Sequence, residues 1–244
     1  MGMVRKRPAA QNMSYTFPVK PAPALTKDTI RFFRELVRNN NKPWMDANRE
    51  RYRAAVVEPL RALLDRLAPA ARKLNSGFVI TGRANDNFSR INRDIRFARD
   101  KTPYRPHMYL LLSEAGGEGG QLYTGVSADA VTCGFRIYGG GRTSPLVQFG
   151  RVRGRDNPQW IERQKRRFGK KYESYWYSTE KGEWTKHSGW PTAPEQWKKL
   201  QAWIVRRKFS PAAATRAGFE REVAKVFTDV YPFYEFTSSP KWKR

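Results

Sequence analysis

Residues 90–107 concentrate side chains whose chemistry suits the binding of an anion. The segment contains Arg90, Arg93, Arg96, Arg99, Lys101 and Arg105, together with Asp94, Asp100, Tyr104 and His107. If residues 90–97 form a strand, the side chains of Arg90, Asp94 and Arg96 project to one side of it. Two guanidinium groups beside one carboxylate could clamp a phosphate or carboxylate group, with Asp94 orienting the pair. The candidate ligand-binding residues are therefore Arg90, Arg93, Asp94, Arg96, Lys101 and Tyr104.

Two other interpretations of this segment stay open. Its arginines and aspartates could instead form an ion-pair network that closes one face of a sheet against a helix. Asp94 or His107 could also transfer protons in an enzyme acting on a phosphorylated or carboxylated substrate, because the pKa of an unperturbed histidine is about 6.5. Asp94 and His107 are thus the catalytic candidates, and the sequence leaves open whether the protein is an enzyme.

Other chemistries find little support in the sequence. Two histidines and one cysteine cannot build a zinc finger or a histidine-rich site, although a site made of carboxylates stays open. We expect no metal and no cofactor. Cys133 lies among apolar residues and is expected in the core. The glycines at positions 139–141 could offer backbone N–H groups to an anion, but they lack the lysine of a P-loop. Glycines that permit a bulge or a positive φ are the simpler explanation.

The net charge makes polyanions plausible partners. The 244 residues include 47 Lys plus Arg against 22 Asp plus Glu, a formal charge of +25. Residues 151–210 hold sixteen basic and six acidic side chains, and ten aromatic residues, from Trp160 to Trp203, are interleaved with the bases. Aromatic stacking combined with basic side chains is typical of proteins that bind single-stranded nucleic acid. The same aromatic residues could instead pack a loop-rich segment onto the domain, so non-specific nucleic-acid binding is one possibility among the partners.

The elements that must position residues 90–107 begin with helices. Ile30, Phe33 and Val37 recur at helical spacing after a candidate N-cap at Thr26, and the asparagines at 39–41 should end this helix. Pro43 suits the first turn of a second helix, which Pro59 should kink or interrupt. A leucine stripe then continues the apolar face up to Pro69.

The centre of the chain changes to the period of strands. Residues 90–97, 109–113, 121–128, 131–138 and 203–209 are predicted strands, and the tight link at 129–130 favours an antiparallel hairpin. A helix should open at Asn157-Pro158, residues 170–195 look irregular, and Ser210-Pro211 should start a final helix. The predicted fold class is α+β, a single domain with an antiparallel-rich sheet flanked by N-terminal and C-terminal helices.

Three segments are expected along the chain. Residues 1–24 are predicted to be a flexible basic arm, 25–236 a single α+β domain, and 237–244 a basic C-terminal tail. The longest apolar stretches are too short to cross a bilayer, and the basic N-terminal segment lacks the apolar core of a secretory signal. We therefore expect a soluble cytoplasmic protein that does not associate with membranes.

The sequence also resembles a known family. The segments NNNKPWMDANRERYRAAVVEPL and RINRDIRFARDKTPYRPH, followed by QLYTGVSADAVTCGFRIYGGG and WIVRRKFSPAAATRAGFE, are similar to the family catalogued as domain of unknown function 2461. The resemblance covers roughly residues 25–236. It implies a widespread, mainly bacterial, single-domain protein, and it implies no activity, cofactor or catalytic residue.

Three functions remain as hypotheses. The first is the binding of an anionic ligand or partner, small molecule or macromolecule, through the Arg-rich segment. The second is an enzyme acting on an anionic substrate, and the third is a nucleic-acid binder without sequence preference. A cleft lined by Arg90, Asp94, Arg96 and Tyr104 would favour the first two, whereas a flat continuous positive surface would favour the third.

Overall fold

The N-terminal helices begin and end where capping chemistry predicts. The computed structural model describes residues 22–116, 119–139, 141 and 143–242. Helix α1, Lys27–Arg38, starts with a capping box between Thr26 and Thr29 and ends at Asn39. Helix α2, Lys42–Ala47, follows Asn41, whose side chain accepts a hydrogen bond from the backbone N–H of Trp44 at 2.9 Å. These boundaries confirm the prediction.

Pro59 changes the helix before it rather than ending it. Helix α3, Arg49–Tyr52, continues through a wider π-helical turn, Arg53–Val57, into helix α4, Glu58–Leu74. In that turn the N–H of Glu58 donates to the carbonyl of Arg53. Because Pro59 has no N–H and its ring would clash with the carbonyl of residue 55, the wider turn accommodates it. Helix α4 also passes Pro69, where the leucine stripe was expected to stop.

One antiparallel sheet forms the centre of the fold. Its strands among the described residues are β1 (His107–Leu112), β2 (Gln121–Ser127), β3 (Val131–Tyr138), β4 (Glu173–Glu180), β5 (Glu183–Ser188) and β6 (Leu200–Phe209). Their order is β1-β2-β3-β6-β4-β5, and every neighbouring pair is antiparallel. Four of the predicted strands are therefore present within a few residues of their expected ends.

The β4–β5 hairpin corrects the expectation that residues 170–195 are irregular. Its two-residue turn is Lys181-Gly182, with φ of 51° and 82°. Positive φ at both positions defines a tight hairpin turn whose twist matches that of the flanking strands. The alternation of the strands was hidden in the sequence because aromatic residues occupy both faces of β4: Tyr175 and Tyr177 on one, Trp176 on the other.

Residues 90–97 are not a strand, which corrects a second expectation. The segment makes only one isolated bridge, Asn92 with Tyr104, and Phe97 is 96% exposed instead of facing the core. The side chain of Asp94 accepts a hydrogen bond from the N–H of Arg96 at 3.2 Å, and Asp100 accepts one from the N–H of Thr102 at 2.9 Å. Such local turns compete with strand pairing for the backbone donors.

The remaining helices pack on one face of the sheet. They are a π-helical turn at Leu146–Gly150, α5 (Arg151–Asp156), α6 (Pro158–Phe168), α7 (Pro194–Lys199), α8 (Pro211–Ala214) and α9 (Phe219–Ser238). Helix α6 confirms the expected start at Asn157-Pro158. The single final helix expected after Ser210 is two helices, because Gly218 at φ 86° breaks the path between α8 and α9.

The main core lies between this helical layer and the sheet. Alternate strand residues such as Leu110, Phe135 and Trp203 face the helices and are buried among Phe227 and Phe233 of α9. The opposite sheet face carries a small separate cluster around Tyr123, Ala202 and Ile204 that contains only strand residues. The fold class is thus α+β, with an antiparallel sheet flanked by N-terminal and C-terminal helices.

The expected segment boundaries stay predictions. Residues 1–21 of the expected arm, Gly140 and Arg142 after β3, and residues 243–244 of the expected tail lie outside the described residues. Within the described part, Ala24 and Leu25 are buried, α9 continues to Ser238, and Trp242 packs against Phe236 with ring centroids 5.1 Å apart. No helix of the described part is long and apolar enough to span a membrane.

Candidate functional site

An open cleft of about 690 Å³ lies beside the β1 edge of the sheet. The segment before β1 forms one wall, and the sheet face that carries no helix forms the other. The residues that line the cleft are Asn85, Ser89, Arg90, Asn92, Asp94, Arg105, His107, Tyr109, Gln121, Arg136 and Tyr138. Three arginines, one histidine and one carboxylate therefore share one concave surface.

Asn87 holds the irregular wall of the cleft against β1. This side chain is fully buried; its amide donates to the carbonyls of Val79 at 2.8 Å and Leu111 at 3.0 Å, and its oxygen accepts from two backbone N–H groups. The backbone of Ser89 adds a bond to the carbonyl of Tyr109 at 3.0 Å. A buried amide with all these partners fixes the local path of the chain, and so places Arg90 at the cleft.

Arg136 is the most firmly positioned cation of the cleft. It projects from β3, and its Nε donates to the side-chain oxygen of Gln121 at 2.9 Å. Its guanidinium lies over the rings of Tyr109, Tyr123 and Tyr138, at 4.7, 5.4 and 5.7 Å from their centroids. Cation–π contacts hold the planar group in place while leaving other donors for a ligand. No carboxylate of a described residue pairs with Arg136.

Arg90 and Arg105 add two further cations without partners. Both side chains are exposed, and neither guanidinium makes an ion pair or hydrogen bond with the described residues. The one carboxylate of the cleft, Asp94, is paired with Arg96 at 2.7 Å, and this pair lowers the pKa of Asp94. The cleft therefore carries a net positive charge that the described residues do not compensate.

His107 is held in its neutral form inside this charged surface. Its pKa is lowered from 6.5, first by burial and then by the positive charges of Arg105 and Arg136. Its ring packs at 4.9 Å from that of Tyr109. A neutral imidazole offers one donor and one acceptor, so His107 can contribute a hydrogen bond to a ligand in the cleft.

The sequence-predicted residues divide into two groups. Arg90, Asp94 and His107 line the cleft, whereas Arg93, Arg96, Lys101 and Tyr104 do not. The last four lie in or beside the loop of residues 93–104. Arg96 is three-quarters exposed and pairs with Asp94.

Arg93, Lys101 and Tyr104 hold this loop together. Arg93 pairs with Asp100 and contacts Thr102, and Lys101 donates to the carbonyl of Ile95 at 3.1 Å. The backbone N–H of Thr102, followed by Arg93, lowers the pKa of Asp100 to about 2.

The loop is anchored to the N-terminal helices at its far end. Tyr104 is 5% exposed, and its backbone N–H and carbonyl both bond the side chain of Asn40, at 3.0 and 2.8 Å. This two-point contact ties the end of the loop to the short connection between α1 and α2. The ion pairs of Arg93 and Arg96 thus lie within the loop and do not close a sheet face against a helix, whereas Arg90 lines the cleft.

Arg105, Tyr109, Gln121, Arg136 and Tyr138 were missed as site residues. A signal for two of them exists in the sequence, because the period of two along β3 puts Arg136 and Tyr138 on the same face. That face became a candidate only when the structure showed the helices packing on the other one.

A second histidine does not form a nucleophilic site. The Nε2 of His187 lies 2.7 Å from the Ser178 hydroxyl and 3.6 Å from the carboxylate of Glu180. A catalytic triad needs the carboxylate on the opposite ring nitrogen. Ser178 is also 1% exposed, so a substrate cannot reach its hydroxyl. This cluster connects β4 and β5.

Metal and thiol chemistry find no site in the part of the chain that the structure describes. No group of three or more His, Cys, Asp or Glu side chains comes together there to hold a metal. Cys133 is fully buried, and burial raises the pKa of its thiol to about 12, so it stays protonated. It is a core residue, as expected.

The comparisons with known proteins give a family and no activity. A family model described as conserved hypothetical protein (DUF2461) matches residues 28–236. That range includes every residue that lines the cleft. No curated protein matches the chain at a significant level.

Proposed function

The chain belongs to the DUF2461 family of conserved hypothetical proteins, whose description names no activity, so we propose a function from the residues that line the cleft. We propose that the protein binds an anionic ligand bearing a phosphate or carboxylate group. One observation carries the proposal. Arg90, Arg105 and Arg136 line the same cleft, and none pairs with a carboxylate of the described residues. Like charges repel, so their convergence favours a bound anion that compensates them.

A phosphate or pyrophosphate group suits this arrangement best. Planar guanidinium groups donate two parallel hydrogen bonds to phosphate or carboxylate oxygens. A phosphate presents enough oxygens for several arginines at once, and the neutral ring of His107 can donate one more bond. The Tyr109 and Tyr138 rings, which also line the cleft, would contact the uncharged part of the ligand.

Binding is favoured over proton transfer by Asp94. The hydrogen bonds from Arg96 lower the pKa of Asp94, and a general base works best when its pKa is close to the operating pH. His107 is the other candidate, and its lowered pKa keeps it neutral near pH 7.

We extend the proposal to a cytoplasmic location, which suits a buried free cysteine.

Calorimetric titration of the full chain with pyrophosphate tests this function. Arg136→Gln should weaken binding at least about tenfold, since that loss corresponds to about 1.4 kcal/mol and a hydrogen bond to a charged group contributes about 1.5–3 kcal/mol. Arg166→Gln, which removes the same charge from an exposed position on α6, should change the affinity less than about twofold. Asp94→Asn should tighten binding about two- to fivefold, because it removes the one carboxylate that lines the cleft.

Two results would overturn the proposal. Unchanged affinity in Arg136→Gln would show that the cleft is not the site. Equal losses in Arg136→Gln and Arg166→Gln would show that pyrophosphate responds only to the total charge of the protein.

A further inference from the structure

One face of the sheet is not covered by any helix of the described residues, and we call it the open face. Its residues alternate with those of the core along every strand. Its aromatic members are Tyr109, Tyr123, Tyr138, Tyr175, Tyr177 and Trp184, and its basic members are Arg136, Lys186, Arg206 and Lys208. The open face is thus an aromatic surface interspersed with cations.

Three of the four cations named on the open face lie over its rings. The Nζ of Lys186 is 4.3 Å from the centroid of Tyr175, and the guanidinium of Arg206 is 5.0 Å from the same ring. Arg136 lies over three tyrosines on the other side of the sheet centre. Charged groups and ring faces are therefore presented together rather than in separate patches.

Two rings of the open face remain available to a partner. Tyr138 on β3 and Trp184 on β5 are 43% and 51% exposed, and both belong to the few large apolar side chains that are this exposed in the described residues. Their planes are nearly parallel, at 20°, with centroids 6.3 Å apart. Ala202, the β6 residue paired with Tyr138, carries only a small side chain on this face. Large exposed aromatic rings of this kind mark binding surfaces.

A second basic cleft lies on the open face, at the β5 side of the sheet. Its volume is about 540 Å³, and it is lined by Lys170, Lys171, Lys186 and Arg206 together with one carboxylate, Glu173. Glu173 pairs with Arg206 at 2.9 Å, so the three lysines carry the uncompensated charge. The first cleft is lined by β1, β2 and β3. Because neighbouring strands lie about 4.8 Å apart, the six strands from β1 to β5 span about 24 Å. Tyr109 and Tyr138 line the first cleft and Tyr175 lines the second, so aromatic rings border both clefts.

We propose that the open face binds single-stranded nucleic acid without sequence preference. Phosphate groups would occupy the two basic clefts, and bases would stack on the exposed rings of Tyr138 and Trp184. This inference rests on the proposed function, because the cleft around Arg136 supplies one of the two phosphate sites. Sequence preference is not expected, since every base has a ring face and the described side chains offer cations and rings rather than a pattern of base-edge contacts.

The charge of the chain favours a single-stranded nucleic acid over the other molecules that could cover the open face. A second copy of the chain would bring like charges together, at +25 on each molecule. The first 21 residues of the chain contain Arg5, Lys6, Arg7 and Lys20 and no acidic residue, so they would meet the same repulsion. A duplex hides the faces of its bases and leaves the exposed rings without stacking partners. A single strand supplies both phosphates and free base faces.

Fluorescence anisotropy with a labelled oligothymidylate tests the inference on the full chain. Trp184→Leu should weaken binding about tenfold, because stacking on an aromatic side chain contributes that much per base or more. Trp184→Phe retains a ring and should stay within about threefold of the wild type. Thermal melting of both variants checks that the exposed substitution leaves the fold intact.

A salt titration separates contacts on the open face from the total charge. Lys186→Gln should reduce the slope of log affinity against log salt by about 0.7, the value for one phosphate contact with a single strand. Arg166→Gln removes the same charge from α6, on the helical side of the sheet, and should leave the slope unchanged. An equal change of slope in both variants would overturn the inference.

The remaining outcomes separate this inference from the proposed function. Suppose that pyrophosphate binding depends on Arg136, while oligothymidylate binding is absent or is unchanged by Trp184→Leu. This result overturns the inference and leaves the proposed function standing. Oligothymidylate binding that depends on Trp184, without any pyrophosphate binding, overturns the proposed function and supports the open face. The assignment to a single strand is overturned if a duplex binds as tightly as oligothymidylate in a way that depends on Trp184. It is also overturned if the protein forms a dimer that Trp184→Leu dissociates.

Discussion

The cations of the cleft differ in how firmly they are held. Arg136 is fixed by Gln121 and by three tyrosine rings, so little side-chain entropy remains to be lost when a ligand binds. Arg90 and Arg105 have no polar side-chain partner among the described residues and must be ordered by the ligand itself. We therefore expect Arg136 to contribute most to affinity.

The titration of His107 reports directly on the charge of the cleft. We expect its pKa to lie below 6.5 in the free protein, to rise when pyrophosphate compensates Arg105 and Arg136, and to rise in Arg136→Gln. Proton NMR of the imidazole measures this, and His107→Gln assigns the signal, because the chain contains only two histidines. A pKa of His107 that responds neither to pyrophosphate nor to Arg136→Gln would contradict the described cleft.

The same shift has a consequence for stability. Because the folded protein holds the pKa of His107 below its value of 6.5 in the unfolded chain, the unfolded state binds this proton more readily. The contribution of His107 to the free energy of unfolding is therefore present above pH 6.5 and is lost as the pH falls through the lower folded value.

At the scale of residues the sequence predicts only part of the site. Arg90, Asp94 and His107 could be found because charged side chains are dense around them, a signal that needs no three-dimensional information. Arg136 could not, because it is the lone cation of a largely apolar strand, and its importance comes from neighbours on β1 and β2 that pairing brings next to it.

At the scale of elements, prediction succeeded where apolar residues recur at the period of a helix or a strand and capping or turn residues mark the ends of the segment. Helices α1, α2 and α6 and strands β1, β2 and β3 belong to this group. It failed for the β4–β5 hairpin, where aromatic residues occupy both faces, and for residues 90–97, where Asp94 forms a local turn. The Lys181-Gly182 pair was the available signal for the hairpin.

The pairing of β3 with β6 depends on a glycine. A Cβ at Gly134 would lie 2.1 Å from the carbonyl oxygen of Val205 and 2.7 Å from the Cα of Arg206, and both contacts are with backbone. Gly134→Ala should therefore lower the free energy of unfolding by about 1–3 kcal/mol, because a strand must move to admit the methyl group. Chemical denaturation measures this change. Thr132→Ala, on the same face of β3, is the matched control and should cost about 1 kcal/mol or less; an equal loss in both variants would contradict the close approach.

At the scale of the whole molecule, function follows from how the two layers are arranged. The helices of the described residues all pack on one face of the sheet, so the other face keeps the rings of Tyr138 and Trp184 exposed beside its cations. An antiparallel sheet tolerates this one-sided cover. The net charge of the sequence does not by itself locate a binding surface. The structure locates one, because Arg136, Lys186 and Arg206 lie on the sheet face that the helices leave uncovered.

A crystal structure of the full chain grown with pyrophosphate, at a concentration matched to the calorimetric affinity, tests the central claim most directly. We expect a phosphate group in the cleft, with its oxygens about 2.7–3.2 Å from donors of Arg136 and of Arg90 or Arg105. The neutral His107 should lie within hydrogen-bond distance of the same group. An empty cleft with pyrophosphate bound elsewhere, or Arg90 and Arg105 turned away from a bound anion, would contradict the account.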